Sequence, residues 1–201
     1  MISGPEMRRL LLAVLLFAPV CAGAQTIPWG LDALMQQMAH VKKATASFTA
    51  QKTSPLLTTP LSARGVLVYR APYYMRKTTL SPVHEVFILD HDRITMSGGP
   101  GGQTQRFSTS DAPQIAGLVT GIRAVLAGDT ATLTRLYSVG LRGTEGTWQL
   151  RLVPLDARTR KIVKSITIAG SDDRVTGIDT LAPSGGLTRM HVTETITTDA
   201  H

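Results

Sequence analysis

Two short segments of the sequence combine histidine with carboxylates, the residue types that bind metal ions or transfer protons. They are His84-Glu85 and Asp90-His91-Asp92. Adjacent residues of a strand point to opposite faces, so His84 and Glu85 cannot converge on one ion. The second segment lies where two predicted strands meet in a turn, and Asp and His are ordinary solvent-facing residues there. We therefore predict neither a metal site nor a cofactor.

Glycine-rich and acidic segments offer no better catalytic site. Residues 98–102, Gly-Gly-Pro-Gly-Gly, lack the Lys-Ser/Thr that follows in a phosphate-binding loop, and they join two strands rather than opening a helix. Asp172-Asp173 lie in another turn, which makes them poor candidates for an acid–base pair. The sequence contains no Gly-x-Ser-x-Gly nucleophile motif, and its one cysteine, Cys21, lies in a segment that we expect to be removed. We predict that the protein is not an enzyme.

Composition and charge narrow the class of protein. The chain has 201 residues, a formal net charge of +7, 43% hydrophobic and 17% charged residues, which is typical of one globular domain rather than a disordered chain. Its basic residues are dispersed. The densest group, between Arg158 and Lys164, lacks the interleaved aromatic residues of a nucleic-acid interface. We expect no nucleic-acid partner, and at most an attraction to an acidic partner or to anionic lipid headgroups.

The first residues have the pattern of a secretory signal peptide. Two arginines precede an apolar stretch from Leu10 to Val20, and Ala22-Gly23-Ala24 supply the small residues that a signal peptidase reads. The stretch is too short to span a bilayer, which takes roughly 20 residues. We predict a signal peptide at residues 1–24, cleavage before Gln25, and a single domain at residues 25–201 in an extracytoplasmic space.

The rest of the chain has the periodicity of two long helices, a shorter third and many strands. Apolar residues at three- and four-residue steps predict a helix from Trp29 to about Val41 and a second that Ser110 or Asp111 caps and Gly128 ends. Asp129 then caps the short helix. Connections too short for crossover helices make neighbouring strands antiparallel. The predicted strands cover residues 46–51, 65–70, 74–79, 85–89, 93–97, 103–108, 137–143, 147–153, 162–169, 174–181 and 187–196.

An antiparallel sheet with two long helices, each apolar along one stripe, has few ways to bury those stripes. Either the sheet closes as a barrel or sandwich, or it curls around the helices, which then cover its concave face. The helices lie at the start and in the middle of the strand series. That placement favours the curled sheet.

Several segments, taken in order, resemble one protein family. The opening helix runs into a strand with Phe48-Thr49-Ala50-Gln51, similar to the family's Phe-x-x-Gln strand, and Gly65-Val66-Leu67 begins a strand that ends at a proline, Pro72. Pro82-Val83-His84-Glu85 is similar to a proline-led strand. Leu126-Ala127-Gly128-Asp129 ends the central helix, and Trp148-Gln149-Leu150-Arg151-Leu152-Val153-Pro154 is similar to a Trp/Phe-x-Leu-x-Leu-x-Pro strand. The chain thereby resembles the LolA-like periplasmic carriers of outer-membrane lipoproteins.

The resemblance implies a fold, a cargo and a route. The implied fold class is α+β, mainly β: an incomplete antiparallel β-barrel of about eleven strands, with helices lidding a hydrophobic cavity. The implied function is that of a periplasmic carrier, which takes an acylated lipoprotein or related lipid from an inner-membrane donor complex to an outer-membrane acceptor. An acyl chain costs ~0.8 kcal/mol per methylene in water, so a soluble shuttle must hide it reversibly. We expect a monomer without a cofactor.

Strand alternation and the helix stripes assign the face that lines the cavity. On the strand from Trp148 to Val153 the apolar alternates share one face, while Gln149 and Arg151 point to the other. The alternative is that these side chains form a packed core without a cavity. The predicted ligand-cavity residues are Leu34, Met38, Phe48, Leu67, Tyr69, Ile115, Leu118, Ile122, Trp148, Leu150, Leu152, Ile166, Ile168, Met190 and Val192.

The sequence departs from the family at the residue that holds the lid. The resemblance implies an inward-facing arginine immediately before the strand-ending proline, but that position is Ala71, and Arg70 precedes it. In a regular strand Arg70 faces outward, whereas a β-bulge at Ala71 would turn it inward. Arg70 is therefore the lid or gate candidate. The departure favours a divergent branch of the family with another lipid or acyl cargo.

Two other classes of function stay open. A lipid-sensing or partner-binding envelope module with the same fold would bind a membrane protein and pass no cargo to acceptor vesicles. An enzyme would need a polar residue in the cavity, for which His191 and Glu194 are the candidates.

Overall fold

The computed structural model describes residues 29–99 and 101–196, with the side chains up to residue 193. The predicted signal peptide at residues 1–24 and its cleavage site before Gln25 lie outside the described residues. Within the described ranges, no helix has the length and hydrophobicity needed to cross a bilayer.

The described residues form four helices and eleven strands in one antiparallel sheet. Its strand order is β6-β5-β4-β3-β2-β1-β11-β10-β9-β8-β7, and the two edge strands are not paired with each other. The predicted fold class, an incomplete antiparallel β-barrel with helices, is confirmed. The helices are α1 (Leu31–His40), α2 (Pro113–Ala127), α3 (Thr130–Leu136) and α4 (Ala157–Arg160), and the strands are β1 (Lys43–Thr53), β2 (Leu61–Arg70), β3 (Tyr74–Ser81), β4 (Glu85–Asp90), β5 (Arg93–Gly98), β6 (Gln105–Ser108), β7 (Tyr137–Thr144), β8 (Thr147–Pro154), β9 (Ser165–Ser171), β10 (Arg174–Leu181) and β11 (Leu187–Ile196).

The central strand β1 shows why these segments become strands. Its alternate residues Ala46, Phe48 and Ala50 are buried, while the residues between them are exposed. One face of the strand therefore contacts the interior and the other contacts water. β1 pairs with both β2 and β11, so the first and last strands of the chain meet in the middle of the sheet.

The caps of α2 and α3 are partly as predicted. Gly128 ends α2 with φ of 67°, and the carboxylate of Asp129 accepts a hydrogen bond of 2.9 Å from the Thr132 N–H at the start of α3. The predicted Ser110 or Asp111 cap of α2 is wrong. Asp111 instead accepts from the Ser108 N–H at 2.8 Å, and α2 begins after Ala112 with Pro113 in its first turn.

The short helix α4 lies where the sequence pattern predicted the approach to a strand. Asp156 caps it by accepting from the Thr159 N–H at 2.9 Å, and β9 begins at Ser165 rather than at Ile162. A helix of four residues is too short for the apolar periodicity to reveal.

The two ends of the sheet are filled differently. α1, α3 and one side of α2 pack against β7, β8 and β9, and thirteen buried side chains form one core there; we call this region the packed half. β2 to β6 with the other side of α2 form what we call the cavity half. There the buried cluster contains three residues, Leu89, Ile94 and Val119.

Candidate functional site

The space that is left in the cavity half is a cavity of about 590 Å³, partly open to solvent. This volume lies within the usual range of about 300 to 1,000 Å³ for small-molecule pockets. Three smaller hollows, of about 320 to 380 Å³, lie elsewhere among the described residues. The large cavity is therefore the candidate binding site.

The floor of the cavity is the inner face of β2 to β5. Strand register places Leu67, Lys77, Phe87 and Met96 in one row across these four strands. All four side chains border the cavity. In the next row, Leu89 and Ile94 are fully buried beneath Val119 of α2 and close one end of the space.

The roof of the cavity is one side of α2, and β10 and β11 supply part of the wall. The α2 residues at three- and four-residue steps turn the same way, which places several aliphatic side chains over the floor. Together with the three methionines of the floor and wall, they make an adaptable apolar lining. These residues are Ile115, Leu118, Val119, Ile122 and Leu126 from α2, Met75 and Met96 from the floor, and Ile178 and Met190 from the wall.

The opposite side of α2 is fitted closely to the packed half. A side chain at Gly117 would collide with Thr159 of α4, and one at Gly121 would collide with the ring of Tyr137. The Tyr137 hydroxyl donates to the Gly117 carbonyl at 2.8 Å. Two glycines therefore let α2 approach α4 and β7, and this contact fixes the roof relative to the core.

Arg123 connects the same helix to the cavity half. Its Nη1 donates to the carbonyl of His91, in the turn between β4 and β5, at 2.8 Å. Its guanidinium also lies 5.9 Å from the ring centroid of Tyr73. Arg123 therefore joins the roof to the floor, although it comes from the helix rather than from a strand.

The predicted cavity residues divide between the cavity and the packed half. Those that line the cavity are Leu67, Ile115, Leu118, Ile122 and Met190. Those that lie in the core of the packed half, each at most 1% exposed, are Leu34, Met38, Trp148, Leu150, Leu152, Ile166 and Ile168. The second group has its inward faces filled by one another and by α1 and α3, so the structure does not bring it to the cavity.

Three further predicted residues lie beside the cavity without lining it. Phe48 is buried on β1, and its ring occupies the space over Gly65, where a Cβ would lie 2.8 Å from the ring. Tyr69 is buried on β2, and among the described residues its hydroxyl has no hydrogen-bond partner. Val192 is half-buried on β11, opposite Phe48.

Arg70, the gate candidate, points away from the cavity. It is exposed, and its guanidinium lies 5.5 Å from the ring centroid of Tyr74. The pairing of β2 with β1 and β3 is regular through Arg70, so no bulge turns its side chain inward. Of the catalytic candidates, His191 is exposed, and the side chain of Glu194 lies outside the described residues.

Sequence reasoning missed the floor residues of β3 to β5, above all Lys77. The strands themselves were predicted, but their faces were not assigned. Alternation could have found them, because Met75, Lys77 and Thr79 share one face of β3 and Thr79 is buried.

Burial shifts the pKa of two groups around the cavity. It lowers the pKa of the Lys77 ammonium below its ordinary value of 10.5, and the nearby Glu85 carboxylate opposes this shift. It raises the pKa of the Tyr69 hydroxyl to about 12, against a smaller opposing effect of Arg123. In both cases desolvation penalises the charged form.

Comparison with solved structures finds distant likenesses. The chain is similar to a LolA superfamily protein from Nitrosomonas europaea (10% identity, 86% of this chain and 96% of that chain, TM-score 0.47). It is also similar to a DUF1329 family protein from Desulfovibrio piger (9%, 84% and 92%, TM-score 0.45) and to a chain of the MucA/MucB complex of Pseudomonas aeruginosa (15%, 85% and 58%, TM-score 0.43). No curated protein sequence matches the chain at a significant level.

Likenesses this distant do not show a family, so the family is assigned from the sequence. The model of the family described as "Outer membrane lipoprotein carrier protein LolA-like" matches residues 22–201, which is most of the chain and includes all of the described residues. The chain therefore belongs to the LolA-like family of outer membrane lipoprotein carrier proteins.

Proposed function

We propose that this protein is a periplasmic carrier, which binds the acyl chains of a lipoprotein or a related lipid in the cavity half and moves them from the inner to the outer membrane. The observation that carries the proposal is the cavity of about 590 Å³ between the sheet and α2, lined mainly by aliphatic and methionine side chains. Family membership supports the same function.

The physical basis is the transfer of methylene groups out of water. Each buried methylene is stabilised by ~0.8 kcal/mol, so a chain of ten or more carbons gains enough to bind a preformed apolar cavity. Release must remain possible. A roof formed by one helix, with half-buried rather than fully buried side chains such as Leu118 and Ile122, is a suitable exit.

The proposal includes export by residues 1–24, cleavage before Gln25, and function as a monomer with an inner-membrane donor complex and an outer-membrane acceptor. The intact mass of the protein from its native periplasm checks the cleavage site. A mass that retains residues 1–24 would contradict it.

The binding step is tested by solvent extraction and by a cavity-filling variant. Protein purified from its native host should release lipid that mass spectrometry detects. Leu118→Trp should occupy part of the cavity and weaken binding of a fluorescent fatty-acid probe about tenfold, because the larger side chain takes the space of about two methylenes. The matched control is Leu80→Trp, at an exposed leucine on the outer face of β3, which should bind like the wild type.

The transfer step separates a carrier from a partner-binding module. A carrier should move labelled lipoprotein from donor membranes to acceptor vesicles, and Leu118→Trp should slow that movement. Stable complex formation with a membrane protein, together with no transfer by the wild type, would favour the partner-binding module instead. A wild-type protein that yields no lipid and binds no probe would overturn both the binding step and the carrier function.

A further inference from the structure

A charged side chain interrupts the apolar floor of the cavity. Lys77 lies on β3 directly between Leu67 of β2 and Phe87 of β4, and it borders the cavity as they do. Arg76 also borders the cavity, but it is adjacent to Lys77 on β3, so its side chain lies on the other face of the strand. There its Nε donates to Thr78 Oγ1 at 3.1 Å. The ammonium of Lys77 therefore faces the cavity from its floor.

Few groups among the described residues offset the desolvation of this ammonium. Among them, Lys77 Nζ makes no hydrogen bond and no ion pair. It makes a cation–π contact with the Phe48 ring, whose centroid is 5.5 Å away. The side chain is partly buried, and its pKa is lowered, as expected for a desolvated ammonium. An ammonium that burial partly desolvates gains from pairing with an anion.

The carboxylate of Glu85 stands at the rim rather than beside Lys77. Glu85 is exposed, is paired with Thr79 one row away, and lies beyond 4.0 Å from the ammonium, although its charge acts on it. Lys77 is thus positioned to receive an anion from outside the chain, and Glu85 opposes that anion.

We propose that Lys77 pairs with the anionic headgroup of an amphiphile, a carboxylate or a phosphate, whose apolar part lies in the cavity. This inference rests on the proposed function, since it takes an acyl chain to be the occupant of the cavity. It goes further by making a negatively charged lipid the preferred cargo over a neutral ester.

The experiment uses the mature chain and two probes with the same chain, cis-parinaric acid and its methyl ester. The wild type should bind the acid about tenfold or more tightly than the ester, because a charge-assisted hydrogen bond in a low-dielectric site raises the affinity by about that factor. Lys77→Met, which keeps the length and removes the charge, should lose this preference and bind the ester within about twofold of the wild type. Glu85→Gln should tighten binding of the acid.

The matched control is Lys161→Met, which removes the same charge from an exposed position beside α4, outside the cavity. It should leave both affinities unchanged. Displacement of the acid probe by oleate and by a lysophosphatidic acid then identifies the headgroup, and stronger displacement by either anion than by a monoacylglycerol supports the proposal. A thermal melt of Lys77→Met that matches the wild type excludes misfolding.

The failures are distinguishable. If wild type and Lys77→Met bind acid and ester equally well, the role of Lys77 is overturned while the lipid cavity stands. If Lys161→Met loses the acid as Lys77→Met does, the effect is one of overall charge, and the assignment to Lys77 is overturned. If the wild type binds neither probe, the inference and the carrier function fail together.

Discussion

The packed half and the cavity half are built on one sheet with the same alternation of apolar and polar residues, yet one is filled and the other is not. In the packed half, α1 and α3 deliver side chains into the concave face, and Trp148, Leu150 and Leu152 are at most 1% exposed. In the cavity half, α2 alone covers β2 to β5 and leaves about 590 Å³. The helices above the sheet, rather than the strands, thus decide where a cavity exists.

The largest difference in stability between the two halves is expected from replacing one leucine in each half by alanine. Leu150→Ala leaves a void that α1 and its neighbours cannot fill, and the free energy of unfolding should fall by about 2 to 5 kcal/mol. Leu118→Ala enlarges a space that already exists and removes a half-buried side chain, so the loss should be about 1 kcal/mol or less. Urea unfolding of both variants measures this. Equal losses would mean that the two halves are packed alike.

The next test addresses the fit of α2 against the packed half. Gly121→Ala places a Cβ against the ring of Tyr137, and neither the helix nor the core can move freely, so unfolding free energy should fall by about 1 to 3 kcal/mol. The matched control is Gly140→Ala on β7, where a Cβ meets nothing within 4 Å. The control should leave stability unchanged or raise it by up to about 1 kcal/mol, because alanine has less conformational freedom than glycine in the unfolded chain. A Gly121→Ala variant as stable as the control would show that this contact is loose.

Much of the architecture was predictable because strands buried on one face show a period of two and helices a period of 3.6. The eleven strands, the end of α2 at Gly128 and the Asp129 cap follow from such local signals. The division between core and cavity does not. Leu150 and Leu67 have the same local pattern, and their different surroundings depend on where helices distant in sequence pack.

A polar group in a mainly apolar pattern was equally hard to place from the sequence. Lysine is a residue type that strands usually expose to water. The pairing of Lys77 with Leu67 and Phe87 shows instead that it faces inward. Arg123 was missed for a related reason. Its hydrogen bond to His91 joins a helix to a turn 32 residues earlier in the chain.

Two buried tyrosines, one in each half, differ in whether their hydroxyl group is hydrogen-bonded. Tyr137 donates to the Gly117 carbonyl, so Tyr137→Phe should cost about 1 kcal/mol. The hydroxyl of Tyr69 has no partner among the described residues, so Tyr69→Phe should be neutral or slightly stabilising. Urea unfolding at neutral pH measures both. A larger loss for Tyr69→Phe than for Tyr137→Phe would contradict this assignment.

The same tyrosines should make the free energy of unfolding fall at alkaline pH. Burial raises the pKa of each hydroxyl to about 12, above the ordinary value of 10, so the folded chain holds protons that the unfolded chain releases. Their contribution to stability is complete below pH 10 and is lost as the pH rises from 10 to about 12. Either Phe variant should therefore lose less stability than the wild type over that interval. A parallel decline in all three proteins would show that other groups control it.

The smallest expected effect on stability concerns the link between roof and floor. Arg123→Met removes an exposed hydrogen bond to the His91 carbonyl that water can replace, so the free energy of global unfolding should fall by less than about 0.5 kcal/mol. Its consequence should instead be local. With that link gone, α2 keeps its glycine contacts to the packed half but loses its polar attachment to the cavity half, so amide hydrogen exchange in α2 should accelerate while exchange in β8 and β9 stays unchanged.

Arg142→Met is the control for charge, because Arg142 is exposed on β7, in the packed half, and does not border the cavity. It should leave α2 exchange as in the wild type. Faster exchange across the whole chain in Arg123→Met would mean that the residue stabilises the global fold. Faster exchange confined to α2 would mean that the roof opens on its own, because the packed half stays folded while the helix separates from the floor. Cargo could then enter and leave without unfolding the core.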